Sequence, residues 1–260
     1  MSRIENISED VLVLTDLVPV DGRVNWLPAD AEGVEPHNKY VIQSKEAVLV
    51  IDTGVAAHEE SFLRTLGEVA QGRQVVVLTT RNELICSGNL GAIIDTFPDV
   101  FVVSPNGLPP VGLVHLKNAH REDIRTYRPQ HKEHLSVAGF ERLEIVTPVI
   151  RILNTGWVFD HETKTLFTSD FFGADMMSTS NDTAIRRDGS GLPSRDFIRR
   201  CILAKFDWLE RAQTKVLEQR WEELFETYQP EVIAPAHGRV QFGRQLVRQA
   251  ISDYRTAAFG

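Results

Sequence analysis

The sequence LTTRNELICSG over residues 78–88 is the segment on which the fold and function of this chain depend. It follows the apolar run VVV at residues 75–77, which is typical of a buried strand. The strand therefore opens into a loop that carries a guanidinium at Arg81, a carboxylate at Glu83 and a thiol at Cys86. The side chains of this loop determine which chemistry the chain can support.

Strand and helix patterns on both sides of this loop predict a sheet core covered by helices. Short apolar runs predict strands over residues 11–18, 39–43, 47–51, 75–78, 100–104, 143–153, 165–169 and 232–234. Helical spacing of apolar residues predicts helices over 58–70, 89–97 and 241–256, and one or two helices over 197–227. Polar stretches over 106–135 and 170–193 predict long loops. No linker rich in Pro, Gly or Ser divides the chain, so one domain over residues 1–260 is predicted.

The composition disfavours several functional classes. The 260-residue chain is 42% hydrophobic and 25% charged, which is ordinary for a soluble globular protein. Its net charge of −8 argues against nucleic acid as a partner, because phosphate binding requires a basic surface. We find no apolar run of membrane-spanning length and no N-terminal signal core, so no membrane partner is expected. The two cysteines, Cys86 and Cys201, lie far apart and indicate a reducing compartment, so we expect a cytoplasmic protein.

Five motifs occur in a fixed order along the chain. They are NKYVI at 38–42, VLVIDTG at 48–54, the loop at 78–88, TLFTSDFFG at 165–173 and IAPAHG at 233–238. Together they resemble the metallo-β-lactamase-fold superfamily, and the last two resemble its flavodiiron and oxygen-binding diiron branch. The resemblance implies a four-layer αβ/βα sandwich, with mixed sheets flanked by helices and a metal site at one edge. It also implies a stand-alone domain, with no flavodoxin-like domain and no flavin.

The resemblance assigns a metal pocket to seven positions of this chain. The flavodiiron loop reads His-x-Glu-x-Asp-His-Ser-Gly. The ligands of the first iron correspond to Arg81, Glu83 and Asn154, those of the second to Ile85, Cys86 and His237, and the bridging ligand to Asp170. We call these seven residues the candidate pocket. Arg81 has no lone pair to give a metal and Ile85 has no donor atom, so two oxygen-activating irons are not expected. The Arg81 guanidinium can instead pair with Glu83 and occupy the place of the first iron.

The remaining residues of the candidate pocket allow more than one interpretation. Cys86, Asp170 and His237 form a thiolate, carboxylate and imidazole set that suits one Zn or Fe ion. Alternatively, Cys86 is a small buried hydrophobe, His237 is hydrogen-bonded beside Asp170, and no cofactor binds. A Cys86–His237 dyad with a lowered thiol pKa is a further hypothesis. Asp52, in the Asp-Thr-Gly turn, is expected to support the loop by capping backbone amides.

The sequence leaves two main functional hypotheses open. The first is a degenerate flavodiiron-like protein that has lost the dinuclear site and has a binding, sensing or assembly role, with an unknown small molecule or protein as partner. The second is a mononuclear-metal hydrolase or oxidoreductase that uses Cys86, Asp170 and His237. A third, an electron-transfer partner of a separate flavoprotein, requires redox-active iron. The resemblance also allows a head-to-tail homodimer, and His131 and His134 are interpreted as surface histidines.

Overall fold

The first of two β-sheets is built mainly from the amino-terminal half of the chain. The structure, a computed structural model, describes residues 2–22, 26–105, 115–118, 120–151 and 154–260. Within these ranges the first sheet has seven strands in chain order: β1 (Arg3–Asn6), β2 (Val11–Pro19), β3 (Val34–Gln43), β4 (Ala47–Ile51), β5 (Gln74–Leu78), β6 (Phe101–Val103) and β7 (Arg125–Tyr127). Strands β1 to β4 pair antiparallel and β4 to β7 pair parallel. The loop at 79–83 therefore leaves the carboxyl end of a parallel strand.

The second sheet comes from the later part of the chain. Its strands in the described ranges are β8 (Leu143–Val146), β9 (Trp157–Asp160), β10 (Thr165–Ser169), β11 (Ile185–Arg186), β12 (Val232–Pro235) and β13 (Val240–Phe242). They pair in the order β11-β13-β12-β10-β9-β8. Because β10 and β12 run parallel, Asp170 and His237 both follow strand ends at the same edge of the sheet.

The helices cover the outer faces of both sheets. They are α1 (Glu59–Ala70), α2 (Leu84–Ser87), α3 (Leu90–Thr96), α4 (Arg195–Lys205), α5 (Lys215–Tyr228) and α6 (Arg244–Phe259), with 3₁₀ turns at Ala56–His58, Arg121–Asp123 and Asp207–Arg211. In α1 the buried Phe62, Leu66 and Ala70 recur at intervals of four residues and form one apolar face. Ser194 begins α4, since its hydroxyl accepts a hydrogen bond from the Phe197 amide. No helix in the described part of the chain is long and apolar enough to cross a membrane.

Three apolar clusters define the layers of the fold. One lies between the sheets and joins residues such as Leu49 and Phe167. A second packs the other face of the first sheet against α1 and α3. The third packs the second sheet against α4, α5 and α6 and contains Phe172 and Trp221. The order helix, sheet, sheet, helix confirms the predicted αβ/βα sandwich.

The sequence prediction differs from the structure mainly in short strands. The strand predicted over 143–153 is wrong beyond Val146, because Pro148 has no N–H to donate to a neighbouring strand. Residues 152–153 of that prediction lie outside the described residues. Strands β1, β7, β9, β11 and β13 were not predicted, since runs of two to four residues are too short to show an alternating pattern. In the predicted loop at 106–135, residues 106–114 and 119 lie outside the described residues.

The aromatic cluster under α5 gives a test of the packing. Trp221 is 1% exposed and lies 4.7 Å from Phe225 and 5.7 Å from Phe172 between ring centroids. We expect Trp221→Ala to lower the free energy of unfolding by about 3–5 kcal/mol, because it opens a cavity in the core. Trp208→Ala is the matched control, since Trp208 is 45% exposed, and it should cost about 1 kcal/mol or less. Urea denaturation measures both, and equal losses would contradict the assigned core.

Candidate functional site

Five segments bring charged and polar side chains together at one edge of the two sheets. The loop after β5 supplies Arg81, and the turns after β10 and β12 supply Asp170 and His237. Glu35 is the second residue of β3, and Lys205 is the last residue of α4. All but Lys205 are less than 9% exposed, so their charges must be balanced within the protein.

Arg81 connects two carboxylates of the candidate pocket. Its Nη1 donates to Asp170 Oδ2 at 2.6 Å, and its Nη2 donates to Glu83 Oε2 at 2.5 Å. Burial raises the pKa of the Asp170 carboxyl, but the Lys205 and Arg81 charges outweigh that effect and hold the pKa below its usual value. The guanidinium therefore forms the expected pair with Glu83 and also holds the carboxylate at the bridging position.

Lys205 supplies a second cation. Its Nζ donates to His237 Nε2 at 2.7 Å and to the backbone carbonyl of Asp170 at 3.0 Å. The imidazole must accept at Nε2, so its proton lies on Nδ1. Burial and the Lys205 charge lower the pKa of His237 to about 4, and burial also lowers the pKa of Lys205. His237 is thus a neutral acceptor for a lysine.

Glu35 lies on the other side of the His237 ring. It accepts hydrogen bonds from Trp26 Nε1 and His37 Nε2, each at 2.9 Å, and its Oε1 is 2.8 Å from His237 Nδ1. This last contact is a close polar approach without good hydrogen-bond alignment, since His237 Nδ1 has no aligned partner. Burial raises the pKa of Glu35, but the His237 and His37 rings outweigh it, and the pKa falls far below its usual value.

The turn after β10 fits closely around this imidazole. A Cβ atom at Gly173 would lie 2.4 Å from His237 Cε1, so only glycine allows the chain to cross the ring here. The Trp26 ring packs against His237 with 5.4 Å between centroids. The cavity beside Trp26, Lys205 and His237 has a volume of about 20 Å³, which is space for about one water molecule.

Cys86 and Ile85 form the apolar side of the candidate pocket. They pack with Ala236 in a small buried cluster. The Cys86 thiol lies 3.6 Å from Thr80 Oγ1 and 3.7 Å from Ser169 Oγ, and it is completely buried. Burial, together with the nearby Asp52 charge, raises the pKa of this thiol well above its usual value. A protonated thiol is a poor metal ligand and a poor nucleophile.

Asp52 supports the loop from below. It accepts hydrogen bonds from the Thr80 amide at 2.7 Å and from the Thr80 hydroxyl at 2.7 and 2.9 Å. Burial raises the pKa of Asp52 to about 7 in spite of these bonds. The geometry is the one expected of a residue that caps the backbone at the start of the loop.

The candidate pocket is therefore only partly assembled. Arg81, Glu83 and Asp170 are in direct contact, and Lys205 connects Asp170 to His237. Asn154 is solvent-exposed, unlike the buried members of the set. Lys205, Glu35, His37 and Trp26 were not found from the sequence. The available signal was a carboxylate and an imidazole, Glu35 and His37, two residues apart and just before the apolar run at 40–42.

The side chains present do not fit a dinuclear metal centre. At two of the corresponding positions, Arg81 and Ile85 have no lone pair to give a metal ion. Arg81 also occupies the Asp170 carboxylate, and Lys205 occupies the imidazole of His237. The Cys86, Asp170 and His237 ligand atoms do not all lie within 4.8 Å of one another. In the described part of the chain, the His, Cys, Asp and Glu group that does so is His134, Glu144 and His161.

Comparison with solved structures identifies the fold. The chain superposes on rubredoxin:oxygen oxidoreductase from Desulfovibrio gigas with a TM-score of 0.74 and 16% identity, over 98% of this chain and 61% of that one. The metal-soaked Flv1 flavodiiron core from Synechocystis gives a TM-score of 0.72 and 16% identity, over 99% of this chain and 60% of that one. The DIM-1 metallo-β-lactamase gives a TM-score of 0.60 and 15% identity, over 98% of this chain and 97% of that one. The chain has the metallo-β-lactamase fold.

These similarities extend to the fold and not to an activity. The chain spans about three fifths of the length of the first two structures, and the identities of 16% are low. The TM-scores to the flavodiiron cores exceed the score to the lactamase, in agreement with the resemblance of the motifs. No family model and no curated protein matches the sequence.

The Arg81–Asp170 contact gives the first test of the site. Arg81→Met should lower the free energy of unfolding by about 3–5 kcal/mol, because Asp170 is left as a buried, partly uncompensated charge. Adding Asp170→Asn should recover part of that loss, since the second charge is then removed as well. The exposed Arg64→Met is the control and should change stability by about 0.5 kcal/mol or less. A double variant no more stable than Arg81→Met in urea denaturation would contradict the proposed pairing.

Two buried groups of the site should affect the pH dependence of stability in opposite directions. The folded pKa of His237 is lowered from 6.5 to about 4, so its contribution is present above pH 6.5 and lost as the pH falls to 4. The folded pKa of Asp52 is raised from 3.8 to about 7, so its contribution is present below pH 3.8 and lost as the pH rises to 7. Between pH 4 and 6.5 the two effects partly cancel.

Single substitutions should separate these two effects. His237→Asn should remove a rise in stability with pH of about 3 kcal/mol between pH 4 and 6.5. Asp52→Asn should remove a fall of similar size, and the exposed His115→Asn should leave the slope unchanged. Urea denaturation at half-unit pH intervals measures the slopes. Changes of the same sign in the His237 and Asp52 variants would be inconsistent with their assigned environments.

Proposed function

We propose that this protein is a non-catalytic member of the metallo-β-lactamase fold with a binding or assembly role. The observation that carries the proposal is that two side-chain cations, Arg81 and Lys205, contact other residues of the candidate pocket. Arg81 joins Glu83 to Asp170, and Lys205 joins Asp170 to His237. Two protein cations thus contact residues that correspond to iron ligands in the family that the sequence resembles.

The charges of the pocket support this proposal. The carboxylates of Asp170 and Glu35 are buried and ionised, and buried carboxylates need compensating positive charge or hydrogen bonds. The forked guanidinium of Arg81 binds two carboxylates at once, which a metal ion would otherwise do. Lys205 supplies the second charge and also satisfies His237. The two side-chain cations thus supply positive charge to the buried carboxylates without a metal ion.

The mononuclear-enzyme hypothesis is less well supported by the same residues. Its three proposed ligands are Cys86, Asp170 and His237. The thiol is held in its protonated form, the carboxylate accepts from Arg81, and the imidazole lone pair accepts from Lys205. A metal ion would have to displace both cations and deprotonate the thiol. The hypothesis is kept as the alternative outcome of the test below.

The shape of the site favours a partner at the protein surface. The cavity of about 20 Å³ beside His237 is far smaller than the several hundred Å³ of typical small-molecule sites. We propose a protein partner, in the cytoplasm, where the two buried free cysteines would stay reduced. The head-to-tail homodimer of the family it resembles stays a prediction.

Metal content after reconstitution tests the proposed function. The purified protein is incubated anaerobically with Fe(II) or Zn(II), desalted and measured by inductively coupled plasma mass spectrometry. We expect no metal that depends on the candidate pocket, so Cys86→Ala and His237→Ala should contain as much metal as the unmodified protein. We also expect no oxygen consumption after incubation with iron.

Two outcomes would contradict the proposal. Two irons per chain would indicate a dinuclear centre in spite of Arg81 and Ile85. One metal per chain that is lost in both Cys86→Ala and His237→Ala would support the mononuclear enzyme. Urea denaturation of each variant in metal-free buffer serves as the control, because a misfolded variant loses metal for a different reason.

A further inference from the structure

A second group of metal-ligand side chains lies away from the candidate pocket. His134, Glu144 and His161 each direct one ligand atom into a space where these atoms all lie within 4.8 Å of one another. His161 Nε2 is 2.7 Å and His134 Nε2 is 3.9 Å from the same atom, Glu144 Oε2. The two imidazole rings stack with 5.1 Å between centroids.

The backbone of the second sheet fixes these three residues. Glu144 belongs to β8, and His161 directly follows β9, the neighbour of β8 in the sheet. His134 forms an isolated β-bridge with Glu144, and the next residue, Leu135, donates its amide to the Leu143 carbonyl at 2.9 Å. The three side chains therefore come from three neighbouring strand-like segments at the edge of the sheet.

Hydrogen bonds outside the group prepare two of the ligands. His134 Nδ1 lies 2.9 Å from the Glu141 carbonyl, which can only accept, so Nδ1 carries the proton and Nε2 keeps its lone pair. Tyr228 Oη donates to Glu144 Oε1 at 2.6 Å and leaves Oε2 directed at the histidines. Contacts of this kind orient histidine and carboxylate ligands in metal sites.

This group lies at the opposite end of the second sheet from the candidate pocket. Strand β9 pairs antiparallel with β10, and Asp160 is opposite Thr165, the first residue of β10. His161 is therefore next to the start of β10, whereas Asp170 follows its end. The two locations are separated by the length of the strand.

We propose that His134, Glu144 and His161 bind one divalent transition-metal ion of the zinc class. Two imidazoles and one carboxylate suit zinc and its neighbours, whereas calcium and magnesium prefer oxygen ligands alone. The side chains of His134 and His161 are 54% and 39% exposed, so the ion has access and can keep water ligands. His161 then holds its proton on Nδ1, and the ion replaces its present contact with Glu144.

The charge of Glu144 favours a cation at this group. Tyr228 stays a neutral donor, because burial and the adjacent Glu144 raise its pKa well above its usual value. Among the described residues, the ion-pair partners of Glu144 are His134 and His161, with no lysine or arginine side chain, in contrast to the contacts that Arg81 and Lys205 make at the candidate pocket. Carboxylate and imidazole groups accept hydrogen bonds from protein cations at the candidate pocket, whereas those of His134, Glu144 and His161 have no such cation as a partner within the described ranges.

Zinc titration of the metal-free full chain tests the site. We expect one Zn(II) per chain by isothermal titration calorimetry, and visible absorption of bound Co(II) as a second probe. His134→Ala and Glu144→Gln should each weaken binding by about 100-fold or more, and Tyr228→Phe by about 10–100-fold. His115→Ala is the matched control, since His115 is an exposed histidine outside the group, and it should leave the affinity unchanged.

Variants at both ends of the sheet separate this proposal from the proposed function. Zinc that binds the unmodified protein and the His134→Ala/His161→Ala variant equally well would overturn this site. If that zinc were also lost in His237→Ala, the proposed function would fail as well. The expected result is binding that is lost in the first variant and kept in the second. His134 is exposed, so His134→Ala is expected to stay folded, and urea denaturation in metal-free buffer checks this.

Discussion

The ion pair between Arg81 and Asp170 is the contact on which the rest of the site depends. It sits where the loop after β5 meets the turn after β10, so it connects the two sheets as well as two charges. The carboxylate could not stay ionised in this position without a positive neighbour. With Arg81 in place, Lys205 can bind His237 and the Asp170 carbonyl, and the pocket closes around about one water molecule. Protein charges fill this pocket, which is the basis of the proposal that it holds no metal ion.

Much of the fold could be predicted from the sequence, and the site could be predicted only in part. The strands at 47–51 and 165–169 were predicted with correct boundaries, because they are apolar runs of ordinary length bounded by polar residues. Arg81 and Glu83 are two residues apart, so their pairing could be proposed. Lys205 ends a helix far along the chain, and only tertiary packing brings it to His237.

The partners of His134 also could not be predicted from the sequence. Next to His131 in a polar stretch, it was interpreted as a surface histidine, and its side chain is indeed 54% exposed. Its partners come from β8 and from the end of β9, a strand that the sequence pattern did not reveal. A β-bridge with Glu144 brings the three together, and pairing between distant segments cannot be seen in local spacing. An exposed histidine can therefore belong to a defined group.

A tethered cation changes what the stability of the fold depends on. A metal ion bound only to the folded state stabilises it by an amount that varies with the free metal concentration. Arg81 and Lys205 are part of the chain, so their charges are present at fixed effective concentration whenever the fold forms. The cost is chemical, because neither side chain offers the open coordination position that activates water or oxygen. Under the proposed function, side-chain cations in place of metal ions keep the architecture of the site without its reactivity, which suits a protein that uses this fold as a binding surface.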